Sequence, residues 1–417
     1  MAIGYQQQEL HIEQLTASSL VERYGSPCYV YSKQQLLSNF HAFEQAASGL
    51  DALICFAVKA NSNLAVLTLL AEAGAGADVV SGGELRRALA AGIPAERIVY
   101  SGVGKTSADM ELALNAGILQ FNVESVPELE RLSRVATRVG KVAAVAVRVN
   151  PDVDAGTHEK IATGKAENKF GIAWQQIDDV YALAASLPGI KIQGVDMHIG
   201  SQITRLAPYQ AAFKRMLELV KRLQASGHPI HTIDIGGGLG VLYPDTADAV
   251  SIADYMALVR ETFADSQCRV IMEPGRSLAA NTGVLLCQVE YIKQGPEKRF
   301  LILDAAMNDL LRPAMYGAVH DVWPVKQSPD RELVRYDVVG PICETGDTFS
   351  LGQLLPELQP GEAVALGQAG AYGAVMASFY NTRPITPEVL VSGDQSALIR
   401  RRIDVDEQLS WDQLPDF

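Results

Sequence analysis

The chain has 417 residues, 48% of them hydrophobic and 20% charged, which is the composition of a globular protein with ample core material and excludes a disordered one. Its length favours two domains over one. A net charge of -13 argues against a nucleic-acid or anionic-membrane partner, because such surfaces are held by clustered lysine and arginine, while a few local arginines could still receive an acidic substrate.

The opening stretch, MAIGYQQQELHIEQL, lacks a basic segment followed by an apolar core, and no apolar run is long enough to span a bilayer. Five scattered cysteines without a C-x-x-C pair suggest neither a disulfide framework nor a zinc site, so a reducing, cytoplasmic location is expected. The first 30 or so residues, including SPCYVYS, read as strand and precede the main repeating pattern. From about residue 50 to 275, eight short apolar runs alternate with helical patterns: LICFAV, ADVVS, RIVYSG, ILQFNV, VAAVAVRVN, IQGVDMHIG, HTIDIGGG and RVIMEPG. Several of the intervening helical segments end in glycine, as helix C-caps do. Strands buried on both faces and alternating with helices imply parallel pairing, and eight such units imply a (β/α)8 barrel of the α/β class. An open, doubly wound sheet is the competing arrangement. After about Ser277 the texture becomes strand-rich and punctuated by glycine, proline and aspartate. The expected division is a barrel over 33–278 and a β-rich domain formed by 1–32 together with 279–417.

A barrel of this kind carries its chemistry on the loops at the C-terminal ends of its strands. Those ends offer Lys59, Asp78 with Ser81, Ser101, Asn122, Arg148 with Asn150, His198 with Ser201, Gly236, Gly237 and Gly238, and the stretch from Glu273 to Arg276. Alone, a lysine after LICFAV only has to reach water, and a glycine run only has to turn. Together, the run DIGGGLG and the adjacent EPGR loop lie where barrels commonly bind phosphate, and backbone amides in such a run can cradle an anion. A phosphorylated ligand there, with a lysine across the mouth, fits pyridoxal 5'-phosphate bound to that lysine as a Schiff base. Glu273 could then pair with the pyridine nitrogen, and His198 could cover the ring.

The motifs FAVKANSNLAVLTLLAEAGAGADVVSGGEL, YSGVGKT, NPDVDAGTH with NKFGI, HIGSQ, GGGLG, EPGR, LRPAMYGAVH and GPICETGD occur in order from about Pro27 to Tyr380. The chain so marked resembles the fold type III pyridoxal-phosphate-dependent decarboxylases, and LRPAMYGAVH and CETGD point within them to the branch acting on meso-diaminopimelate. That resemblance implies decarboxylation of meso-2,6-diaminopimelate to L-lysine and carbon dioxide, the last step of lysine biosynthesis. It implies that Lys59 attaches the cofactor, that His198 stacks on its ring and that Glu273 faces its nitrogen. Asp78, Ser201, Gly236, Gly237, Gly238, Pro274, Gly275, Arg276 and Tyr372 fall among the cofactor-binding positions. Arg276, Arg312 and Tyr316 would hold the substrate's far carboxylate and Glu344 its far ammonium, while Tyr372 would touch both cofactor and substrate. Cys343 would be the acid that protonates the carbanion, entering the barrel of a second copy, so that the active unit is a homodimer with a small amino acid as its other partner. A related decarboxylase for ornithine, arginine or a carrier-bound amino acid is the alternative, as are a non-catalytic pyridoxal-phosphate carrier and a barrel with phosphate sites alone. Whether the stretch after His158, EKIATGKAENKFG, closes over the site is open at this level.

Overall fold

Strands that are apolar on both sides need a cover on both faces and a partner on both edges, and a closed ring of parallel strands inside a ring of helices supplies both. In the computed structural model, which describes residues 2–154 and 169–417, the eight runs form β1 (Ala52–Ala57), β2 (Gly76–Val79), β3 (Ile98–Tyr100), β4 (Gln120–Val123), β5 (Ala143–Asn150), β6 (Ile190–Asp196), β7 (Thr232–Asp234) and β8 (Arg269–Met272). Each pairs in parallel with the next, and β8 returns to β1 in the register Val270 to Ala52, Ile271 to Leu53 and Met272 to Ile54. That last pairing closes the barrel and rules out the open sheet. A two-residue strand, Ile172–Ala173, was not expected from the sequence and pairs with the end of β5.

The helices between the strands are α1 (Leu64–Glu72), α2 (Gly82–Ala90), α3 (Ser107–Ala116), α4 (Val126–Arg138), α5 (Ile177–Ser186), α6 (Leu206–Ala225) and α7 (Ile252–Phe263). Short polar residues set where five of them begin. Asn63, Ser81, Thr106, Ser125 and Ser251 each accept a hydrogen bond from a backbone N–H of the first turn, and Thr106 and Asp109 form a reciprocal capping box. Tyr209, Ala212, Phe213, Met216, Leu219, Val220 and Leu223 line the buried stripe of α6 at helical spacing. Lys59 lies on a single 3-10 turn, Val58–Ala60, between β1 and the Asn63 cap, so the lysine is held by structured backbone on both sides.

Contacts divide the chain into two compact units, one of Asn39–Val241 with Asp248–Leu278, the other of Met1–Ser38, Leu242–Ala247 and Ala279–Phe417. The second unit is built around the long strand Gly283–Gln294, which pairs with Cys28–Ser32, Arg299–Leu303 and Ala363–Leu366. Its period-2 alternation feeds two apolar clusters: Leu285, Cys287 and Val289 with Tyr29 and Tyr31 on one side, Val284 and Leu286 with Cys28 and Val30 on the other. Residues expected to be extended near the start include a helix, Ala17–Tyr24, capped by the Thr16 side chain at one end and closed by Gly25 with φ of 76° at the other. Short helices also interrupt the β-rich region at Arg312–Tyr316 and Val405–Leu409.

At the top of the barrel unit, Lys105 is 3% exposed and donates to the carbonyls of Gly102 and Asn122 and to Glu128 Oε1 at 2.7 to 2.8 Å. It thereby ties the loop after β3 to β4 and to the first turn of α4. Removing one member of such a buried pair leaves the other charge without its partner, so Lys105→Met should destabilise the fold by on the order of 3 to 5 kcal/mol. Thermal unfolding should show the melting temperature lowered by roughly 10 °C; an unchanged value would mean that Glu128 finds other partners.

Candidate active site

β1 and β2 end side by side, in the register Ala57 to Asp78, and this places Lys59 against Asp78. The amine Nζ lies 2.9 Å from Asp78 Oδ2; the lysine side chain is 37% exposed and the aspartate is fully enclosed. The contact anchors the amine on a buried acid while the side chain stays partly exposed.

Behind this pair lies a group of buried acids. Carboxylate oxygens of Asp196 on β6, Asp234 on β7 and Glu273 just after β8 all lie within 4.8 Å of one another. Burial, reinforced by mutual repulsion and by Asp78, pushes Glu273 and Asp196 well above the usual carboxylate range, and burial first of all raises Asp234 to about 7. Neutral donors hold the group in place. Asn122 Nδ2 donates to Asp234 Oδ2 at 3.0 Å and to Ser101 Oγ at 3.1 Å, and Ser101 Oγ donates to Glu273 Oε1 at 3.2 Å. Arg148 is committed to Glu124 at 2.9 Å and reaches Asp196 only at 4.0 Å. Asp78 Oδ1 and Asp196 Oδ1 are buried with no hydrogen-bond partner among the described residues. Such a cluster of buried acids at the strand ends suits a ligand with a protonated ring nitrogen.

His198 follows β6, half-buried. Its Nδ1 accepts from the Gly237 amide at 3.2 Å, so the proton of the neutral ring sits on Nε2, and burial, with Arg148 and Lys59 adding repulsion, holds its pKa well below the ordinary value. The glycine run behaves differently from the expected anion cradle. The Gly236 amide donates to Asp234 Oδ1 at 3.0 Å and the Gly237 amide to His198, so two of its three amides are engaged by the protein itself. Glycine is needed here for close approach: a Cβ on Gly237 would lie 2.1 Å from the Glu273 carbonyl oxygen, and one on Gly238, where φ is 98°, 2.3 Å from that of Gly200. Beside the run, Arg276 is 7% exposed and donates to Ser201 Oγ at 3.1 Å, and the Pro274 carbonyl accepts from the Ala57 amide. Lys59, Asp78, His198, Ser201, Gly236, Gly237, Gly238, Glu273, Pro274, Gly275 and Arg276 thus converge on the strand ends of one unit.

The remaining candidates belong to the β-rich unit. Arg312 and Tyr316 bound one short helix, Tyr372 has a left-handed φ of 56°, and Cys343 is the one exposed cysteine of the five. Asn381 Nδ2 donates to Cys343 Sγ at 3.3 Å, and the hydroxyl of Tyr380 donates to Glu344. Most of the stretch after His158 lies outside the described residues. Sequence reasoning did not single out Asp196 or Asp234; the signal was present as a carboxylate inside each of two apolar runs, GVDMH and TIDIG.

The family model for the pyridoxal-dependent decarboxylases, pyridoxal binding domain, matches residues 33–280. A diaminopimelate decarboxylase of Pseudomonas fluorescens is 51% identical over 99% of both chains, and one of Zymomonas mobilis is 50% identical over 97% of this chain and 96% of its own. Among solved structures, the diaminopimelate decarboxylase of M. jannaschi superposes with a TM-score of 0.94 at 34% identity, covering all of this chain and 98% of its own. That of Helicobacter pylori, solved with L-lysine, gives 0.91 at 40% identity over 94% of this chain and 98% of its own. Similarity at this level over the whole length places the chain plainly: it belongs to the diaminopimelate decarboxylase family of pyridoxal-dependent decarboxylases.

Proposed function

We propose that the chain binds pyridoxal 5'-phosphate at its barrel mouth and decarboxylates meso-2,6-diaminopimelate to L-lysine and carbon dioxide. The observation that carries the reading is Lys59, ion-paired with Asp78 at the end of β1, beside a buried group of acids that includes Glu273. When bound, pyridoxal phosphate supplies an electron-poor ring that takes up the electron pair left at Cα by the departing carboxylate. Every other part is played by the chain. Lys59 would supply the amine that holds the cofactor covalently, and Asp78 would hold that amine in place whenever it is not so engaged. Glu273 holds a proton at the pyridine nitrogen, supported by Ser101 and Asn122. Neutral His198 packs on the ring without adding charge to it. Ser201, Gly238, Gly275 and Arg276 hold the phosphate, while Gly236 and Gly237 let the strand ends meet.

The substrate's far end carries one carboxylate and one ammonium. Arg276, Arg312 and Tyr316 match the first and Glu344 the second, with Tyr372 touching cofactor and substrate. Cys343 delivers the proton to Cα. The related relatives' names and the lysine bound in the Helicobacter pylori structure support this choice of substrate. Carbon dioxide release should be assayed on meso-diaminopimelate beside its LL isomer, lysine, ornithine and arginine; preference for any of the last three would overturn the substrate.

Three outcomes follow. Lys59→Ala should abolish covalent cofactor attachment, read by borohydride trapping, and lower turnover by several orders of magnitude. Near-normal activity would refute the assignment.

The buried acids predict a pH dependence. An acid with a folded-state pKa above its unfolded value keeps its proton in the native state while the unfolded chain gives it up, so its contribution to stability is full below about pH 4 and is lost as pH rises towards 7. In cofactor-free protein, the stability of Asp234→Asn relative to the parent should therefore improve between about pH 5 and pH 8, measured by urea unfolding. A constant difference would show that Asp234 ionises normally.

The third outcome concerns assembly, which we propose is a homodimer with shared sites. If Cys343 completes the partner's site, mixing Lys59→Ala and Cys343→Ala chains to random dimers should restore about a quarter of the sites, because one site of each mixed dimer carries neither defect. Lysine formation after subunit exchange, verified by a mass tag, measures this; no recovery would place both residues in one chain's own site.

A further inference from the structure

Arg312 opens the short helix Arg312–Tyr316, which Gly317 ends in the left-handed region at φ of 62°. The turn there lets the chain double back, and His320, eight residues on from Arg312, returns to face it. His320 is 1% exposed and Arg312 5%. Nε2 of the imidazole lies 2.9 Å from the Arg312 guanidinium, and Nδ1 lies 2.8 Å from the carbonyl oxygen of Gly367. A carbonyl only accepts, so the ring proton is on Nδ1, and Nε2 presents a bare lone pair to the arginine. Tyr243, from the stretch Leu242–Ala247 of the same unit, stacks against both: its ring is 4.6 Å from the Arg312 guanidinium carbon and meets the His320 ring edge-on at 5.6 Å.

We propose that His320 is a positioning residue for substrate recognition: as a neutral, tautomer-fixed acceptor it orients the Arg312 guanidinium towards the substrate's far carboxylate. A carboxylate in the same place would hold the arginine as firmly but would leave a neutral pair, with little field left for an anionic ligand. The imidazole and the Tyr243 ring hold the guanidinium through a lone pair and a π-face. This inference rests on the reading of Arg312 as the carboxylate-binding arginine.

The test uses the pyridoxal-phosphate-loaded enzyme and two substitutions. His320→Asn keeps a donor for the Gly367 carbonyl but ends short of Arg312, whereas His320→Gln brings an acceptor oxygen near the place of Nε2. The Asn variant should show a KM for meso-diaminopimelate raised roughly 10- to 100-fold, the size expected when a buried donor loses its partner, with kcat changed much less. Inhibition by L-lysine, which keeps the far carboxylate, should weaken by a similar factor, while inhibition by 1,5-diaminopentane, which lacks it, stays the same. The Gln variant should recover most of the loss. If both inhibitors weaken equally, or if Gln fares no better than Asn, His320 is merely structural and the proposal fails. Arg312→Ala separates the two readings: when it raises KM and His320→Asn does not, His320 alone is refuted, and when Arg312→Ala itself changes neither KM nor lysine inhibition, the role given to Arg312 falls first. Should the Asn variant not accumulate as folded protein, Tyr243→Leu carries the same test, since it removes the ring against both partners and should weaken lysine but not 1,5-diaminopentane.

Discussion

The barrel unit is organised around a group of buried acids. Asp78, Asp196, Asp234 and Glu273 are enclosed at the ends of four strands; Lys59 pairs with Asp78, while Arg148 is committed to Glu124 and Lys105 to Glu128. Water would relieve such a cluster in an open cleft; inside a barrel only protons, neutral donors or a cationic ligand do so. Ser101, Asn122 and the Gly236 amide supply neutral donors, and the raised pKa values of Asp196, Asp234 and Glu273 supply protons. A cationic ring nitrogen, as in the proposed cofactor, would be favoured here by electrostatics as well as by shape.

The second unit handles charge in the opposite sense. There a buried arginine is steadied by an imidazole lone pair, a tyrosine face and a carbonyl one step further out. The two arrangements are complementary in what they ask of a ligand. One suits positive charge on a cofactor ring and the other an anion on a substrate.

Much of this was legible in the sequence because a barrel converts position along the chain into position in space. Lys59, His198 and Glu273 end apolar runs, and any residue that ends such a run in an eight-fold βα pattern lies at one mouth. Asp196 and Asp234 were hidden for a related reason: strands buried on both faces have no polar side to alternate with, so a carboxylate inside the run does not announce which way it points. The helix Ala17–Tyr24 was missed although Thr16 and Gly25 mark its ends, because eight residues bear only two turns of periodicity. The partnership of Arg312, His320 and Tyr243 depends on a left-handed turn at Gly317 and on a contact across 69 residues of chain, and the second of these has no local signature. At Gly236 and Gly237, where the sequence suggested an amide cradle, the amides donate to Asp234 and His198, and the missing side chains also allow close backbone packing that no motif announces.

That packing limits how the pocket could be remodelled. Around Gly236, Gly237 and Gly238 the ends of β6, β7 and β8 meet backbone to backbone, with the carbonyls of Met197, Gly200 and Glu273 occupying the space a side chain would need. A designer seeking a different cofactor phosphate or a wider mouth has no freedom along this seam, since even one methyl group would displace the carbonyl that follows β8 and with it the Glu273 side chain. Under the proposed reading, room for altered specificity lies instead on the Lys59 side of the barrel and in the β-rich unit, whose candidate residues are side chains that can be exchanged one at a time.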